Sequence, residues 1–135
     1  GNVHLIDDTY NANPASMRAA VETLAALRGS GRALLVTGDM RELGPEAARL
    51  HRELGRLAAE AGIDRLFVCG GHAADVASGA LAAGMPAAAI AAGSRDEIRD
   101  VLLAAVRPGD WVLVKGSRAM GMETIVRALG APERG

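Results

Sequence analysis

A chain of 135 residues, half of them apolar, fits a single domain that buries roughly two thirds of the surface its unfolded form exposes. A formal net charge of -1 with no block of like charges leaves no basic field for a nucleic-acid backbone. The single cysteine, Cys69, excludes an internal disulfide, and no apolar run approaches the roughly 18 residues of a membrane span, so the expected setting is cytoplasmic.

The chain begins at Gly1, with no initiator methionine or signal peptide, and enters a strand-like segment almost at once; the expectation is a domain cut from a longer protein. That first segment, "VHLID", is followed by a helix with Met17, Val21 and Leu24 on one face, opened by Asn13 as N-cap and Pro14 at its first position. Next come the strand "RALLVTG" and a helix opened by Pro45, with Leu50, Leu54, Leu57 and Ala61 in line. "RLFVCG" and a weak "AAAIA" read as the third and fourth strands. Ser94 and Glu97 form a capping-box pair before a helix carrying Ile98, Val101, Leu102 and Ala105. "WVLVKG" is the last strand, and Met122, Ile125, Val126 and Leu129 line the last helix. Strand then helix, repeated about five times, predicts an α/β, Rossmann-like three-layer domain: a mostly parallel sheet with helices on both faces.

Ligands in such folds collect beyond the carboxyl ends of the strands. Four loops there are polar or glycine-rich: "DDTYNANP", "GDMRELGP", "GGHAAD" and "KGSRAMGME". Turn chemistry alone accounts for any one of them, because βα loops need glycine and Asx residues. Residue usage singles out two. The first holds the only tyrosine, Tyr10, with Asn11 and Asn13; the last holds Lys115, the one lysine beside fourteen arginines, which points to a need for a compact ammonium.

Known nucleotide signatures are missing. No G-x-G-x-x-G follows a strand, and "GSRAMGME" has the glycine spacing of a phosphate loop but Met122 and Glu123 where Lys and Ser/Thr are required. His4, His51 and His72 are dispersed, so no metal ligands are predicted; His51 borders an apolar stripe and reads as structural. Asp7, Asp8 and Lys115 imitate a phosphorelay receiver, the alternative reading, together with other small-ligand binding modules that do not catalyse. The third strand ends in Cys69, though, where a receiver needs its phosphoacceptor aspartate.

"DDTYNANPASM", "GDMRELG" and "VLVKGSRAMGME", in that order and at those distances, resemble the C-terminal domain of the Mur ligases over about residues 5 to 130. "YNANP" with "KGSR" is most similar to the member that joins D-alanyl-D-alanine to a UDP-muramoyl tripeptide. The resemblance implies an ATP-dependent, amide-forming ligase of peptidoglycan synthesis working through an acyl phosphate. Absent N-terminal and central domains would hold the UDP part, the phosphate loop and the Mg2+ ligands, so the fragment alone is expected to be inactive and to contain no catalytic residue. By the same resemblance, Asp8, Tyr10, Asn11 and Asn13 close over ATP, with Asp8 rather than Asp7 as the functional acid. Replacing Asp8 is then expected to spare the domain's stability, and replacing Asn13 to lower it. The dipeptide carboxylate falls to Lys115, Gly116, Ser117 and Arg118, where two cations, a hydroxyl and helix-opening amides meet. A rival assignment makes Lys115 a phosphate contact or the partner of Asp8.

Overall fold

The computed structural model describes residues 2–9, 12–116 and 120–130. The apolar runs are short and continuous, and the three central ones are almost wholly buried because helices cover them on both faces. They form β1 (His4–Asp8), β2 (Ala33–Thr37), β3 (Arg65–Cys69), β4 (Ile90–Gly93) and β5 (Trp111–Lys115), all parallel in one sheet of order β1-β5-β2-β3-β4. Between and after them lie α1 (Pro14–Leu27), α2 (Ala47–Glu60), α3 (Ala73–Ala82), α4 (Arg95–Ala105) and α5 (Glu123–Leu129).

Alternation along the strands divides the core into two layers. Leu35, Leu66, Val68 and Leu113 pack under α1, α2 and α3, whereas Leu34, Val36, Phe67, Val112 and Val114 pack under α4 and α5. This is the Rossmann-like, three-layer arrangement predicted. The strand order differs from the 2-1-3-4-5 order of receiver-type domains, which removes the fold-level support for that alternative.

Local signals act where the sequence places them. Asn13 Oδ1 accepts the Ser16 N–H at 2.9 Å, Ser16 Oγ accepts the Asn13 N–H at 3.0 Å, and Pro14 opens α1. Ser94 and Glu97 exchange the same pair of bonds at 3.1 and 2.9 Å ahead of α4. The Ser94 amide, with the Ser94 hydroxyl, holds the Glu97 carboxyl below the usual range.

Four expectations need correction. Residues 87–89 form a 3-10 turn and the fourth strand runs from Ile90 to Gly93, because β4 is a short edge strand with alanines in place of β-branched residues. Pro45 lies in a 3-10 turn, Gly44–Glu46, ahead of α2. The buried face of α2 is His51, Leu54, Gly55 and Ala58, with Leu50, Leu57 and Ala61 only half-buried. The close approach of α3 turns the helix this way: a β-carbon at Gly55 would overlap the Val76 carbonyl, and one at Gly79 the Arg52 carbonyl. On α4, Val101 faces solvent, because the helix turns Ile98 and Leu102 to the sheet, with Ala105 half-buried beside them.

A topological switch follows from this layout. The chain leaves β1 and β2 toward the α1 face but leaves β5 toward the opposite face, so a crevice opens at the carboxyl end of β5 between its two neighbours.

Candidate functional site

Register brings three polar side chains to that crevice. Asp8 on β1 and Thr37 on β2 are both cross-strand partners of Lys115 on β5, at the last residue of each strand. Lys115 Nζ donates to Asp8 Oδ2 at 3.0 Å; the lysine side chain is 3% exposed and the aspartate side chain 42%. A buried ammonium needs its counter-charge, so the pair fixes Asp8 in place while leaving its carboxylate within reach of solvent. Ser16, Ala19, Ala20 and Thr23 of α1 wall the adjacent pocket, and Ile6 and Leu113 form its floor.

Asp7 does something different. Its Oδ1 accepts the Thr9 amide at 3.2 Å and the Thr9 hydroxyl at 2.8 Å, an Asx turn that ends the strand. Asn13 has its side-chain oxygen committed to the α1 cap. Tyr10, Asn11, Ser117 and Arg118 lie outside the described residues. Gly116 is required by packing, since a β-carbon there would overlap Met122.

The loop after β2 contributes more than its sequence advertised. The Gly38 N–H donates to the Lys115 carbonyl at 3.2 Å. Asp39 accepts the backbone amides of Gly71 and His72 at 2.9 Å each, a cap on α3 supplied from another element. This explains Gly70, whose φ of +105° and bare α-carbon leave room for the Asp39 carboxylate. The Met40 N–H donates to His51 Nε2 at 3.0 Å. On the far side of the sheet, the guanidinium of Arg95 donates to the Met120 carbonyl at 3.3 Å and supports the last loop. Thr37, Asp39 and Arg95 were not singled out from sequence. The paired glycines opposite Asp39 were the one available signal.

His51 is buried, as its place beside an apolar stripe predicts. Its Nδ1 lies 2.6 Å from the Ala47 carbonyl and donates to it, which fixes Nε2 as an acceptor. Burial holds its pKa below the ordinary histidine value. Burial likewise pushes the Cys69 thiol up to about 11, leaving it protonated and no nucleophile. Among the described residues, no group of three His, Cys, Asp or Glu side chains is gathered for a metal ion.

The comparisons with known proteins agree with this layout. Over 130 residues the chain is 43% identical to the UDP-N-acetylmuramoyl-tripeptide–D-alanyl-D-alanine ligase of Escherichia coli (strain K12), covering 95% of the chain and 27% of the relative. A crystal structure of MurF from Acinetobacter baumannii superposes with a TM-score of 0.81 at 35% identity, over 93% of this chain and 27% of that one. MurF ligase from Thermotoga maritima, solved in complex with ADP, gives a TM-score of 0.77 at 29% identity over 95% and 28% of the two chains. The chain thus spans about a quarter of the length of the relatives it matches. Residues 1–118 match the family model described as "Mur ligase, glutamate ligase domain", and the chain belongs to the Mur ligase family.

Proposed function

We propose that this chain is the C-terminal domain of a three-domain, ATP-dependent ligase that joins D-alanyl-D-alanine to a UDP-N-acetylmuramoyl tripeptide, and that it closes over the nucleotide and holds the dipeptide. The names of the relatives support the reaction, and the ADP complex of a structural neighbour supports the nucleotide. One observation on this chain carries the reading: its only lysine is buried against a half-exposed aspartate at the switch point of the sheet.

Asp8, held by Lys115 and open to solvent, is an acceptor suited to nucleotide hydroxyls. ATP supplies the phosphoryl group that converts an unreactive carboxylate into one an amine can attack. The domain's own share is to orient and to exclude water: a closed crevice keeps solvent from the activated carboxyl, and a gripped dipeptide presents its amine in line. Arg118 and Ser117 hold the dipeptide carboxylate beside Gly116, with Arg118 giving two parallel charge-assisted bonds. Magnesium ligation belongs to the central domain, and the cytoplasmic setting follows from the proposed reaction on a UDP-linked precursor. No helix among the described residues is long and apolar enough to cross a membrane.

The 3.0 Å pair also favours a second reading for Lys115, in which it acts on the nucleotide side through Asp8. Kinetics of the full-length protein separate the two. Arg118→Ala is expected to raise the KM for D-alanyl-D-alanine roughly 10- to 100-fold, as loss of a bond to a charged group of about 1.5 to 3 kcal/mol implies, with the KM for ATP little changed. If the ATP constant moves and the dipeptide constant does not, the last loop serves the nucleotide and the dipeptide site lies elsewhere. Lys115→Ala shifting the ATP constant alone would assign Lys115 to the second reading.

A further inference from the structure

We infer that His51 is the positioning residue of the loop between β2 and α2, a latch whose neutral imidazole fixes residues 38–42 beside Lys115 and whose protonation frees them. Three successive residues of this loop are tied to three different elements. The Gly38 amide is bound to the carbonyl of Lys115 on β5, the Asp39 carboxylate to the amides that open α3, and the Met40 amide to His51 on α2. Two residues further on, Glu42 sits at a φ of +61°, a left-handed conformation uncommon in non-glycine residues.

Of the three anchors, the one at Met40 accepts through a nitrogen that titrates. Nδ1–H is spent on the Ala47 carbonyl, so a proton added to the ring goes to Nε2 and sets two donors face to face at 3.0 Å. The groups facing the ring are His72 of the α3 loop, stacked at 4.3 Å and 13°, together with Asp39 and Asp75; Arg52 of α2 is 3.7 Å from Asp75. Burial disfavours the charged ring, and His72 opposes it further; the Ala47 carbonyl and the two carboxylates favour it without reversing the balance. The sign follows. A folded-state value depressed below the unfolded one, about 6.5, gives stability that is complete above that pH and declines as the pH falls through the folded value. Glu97 and Asp110 are held below the usual carboxylate range, so their contributions are lost near pH 4 and lower, outside this window.

That the loop edges a substrate site rests on the ligase reading, whereas the latch itself does not, and the test uses no substrate. Amide exchange of Met40 in this 135-residue chain, corrected for the intrinsic pH dependence, is expected to speed up by several-fold and up to about tenfold between pH 7.5 and pH 5.5, the ceiling that a freed histidine titrating at about 6.5 sets, and nitrogen NMR of His51 to report the Nδ1–H tautomer at the higher pH. His51→Gln places an amide oxygen where Nε2 lies and should keep Met40 protected at both pH values. His51→Leu should leave it unprotected at both. Equal protection of wild-type Met40 at the two pH values, a His51→Gln chain with the wild-type pH dependence, or a folded His51→Leu chain with Met40 still protected would each overturn the inference. Should His51→Leu not fold, the wild-type and His51→Gln titrations decide.

Discussion

At Asp8 and Asn13 the same short loop divides its labour between charge and cap. Sequence reasoning expected Asp8 to be replaceable without loss of stability; the buried Lys115 beside it changes that expectation. Asp8→Ala strands an ammonium whose side chain is 3% exposed, and we expect the isolated chain to lose about 1 to 2 kcal/mol, less than for a fully buried pair because Asp8 faces water. Asn13→Ala removes the Oδ1 that accepts the Ser16 N–H while the Asn13 N–H can still donate to Ser16 Oγ, and should cost about 1 kcal/mol, or roughly 3 to 5 °C in Tm. Thermal melts of the two variants check both values. A Tm for Asp8→Ala equal to wild type would show that Lys115 finds another partner.

Packing of α2 on α3 shows what element-scale reading can and cannot recover. Period and caps located α1, α4 and the last helix, since Met17, Val21, Leu24, Ile98, Leu102, Ile125 and Val126 are buried where the 3.6-residue repeat puts them, Asn13 caps α1 and the Ser94–Glu97 capping box forms as spelled. The face of α2 was not legible in the same way. Glycine carries no hydropathy signal, yet Gly55 and Gly79 let two backbones touch and so decide which side of the helix is buried. Likewise the roles of Asp39 and Arg95 depend on elements distant in sequence, which a motif cannot display. Asp8 and Lys115 were legible as unusual residues at strand ends and their pairing as the rival assignment, which the structure bears out; the insertion of β5 beside β1 is what brings the two together. Gly55→Ala is expected to force the helices apart at a cost of about 2 to 4 kcal/mol, since the obstacle is the Val76 backbone and not a movable side chain. Denaturant melts read this directly, and a stability within 0.5 kcal/mol of wild type, the range of an ordinary surface substitution, would show that the helices separate freely.

Across the molecule, the two ends of the sheet carry different chemistry. At the amino end, Arg32 grips Asp110 with two bonds of 2.9 and 2.7 Å, and Asp110 also accepts the Arg107 amide at 2.8 Å, a closed structural clamp. At the carboxyl end the polar groups are anchored yet open, as at Asp8. This is the end proposed to close upon a partner domain, and no group of three His, Cys, Asp or Glu side chains is gathered for a metal ion among the described residues. The central claim is that this domain serves a dipeptide-adding ligase. Its most direct test is ADP release by the full-length protein given ATP, Mg2+ and UDP-N-acetylmuramoyl tripeptide, with D-alanyl-D-alanine, D-alanine or D-glutamate as the amine, beside a control with the 135-residue chain alone. The account predicts release that depends on D-alanyl-D-alanine in the full-length protein and none from the chain alone. Turnover with D-glutamate in place of the dipeptide, or steady turnover by the isolated chain, would contradict it.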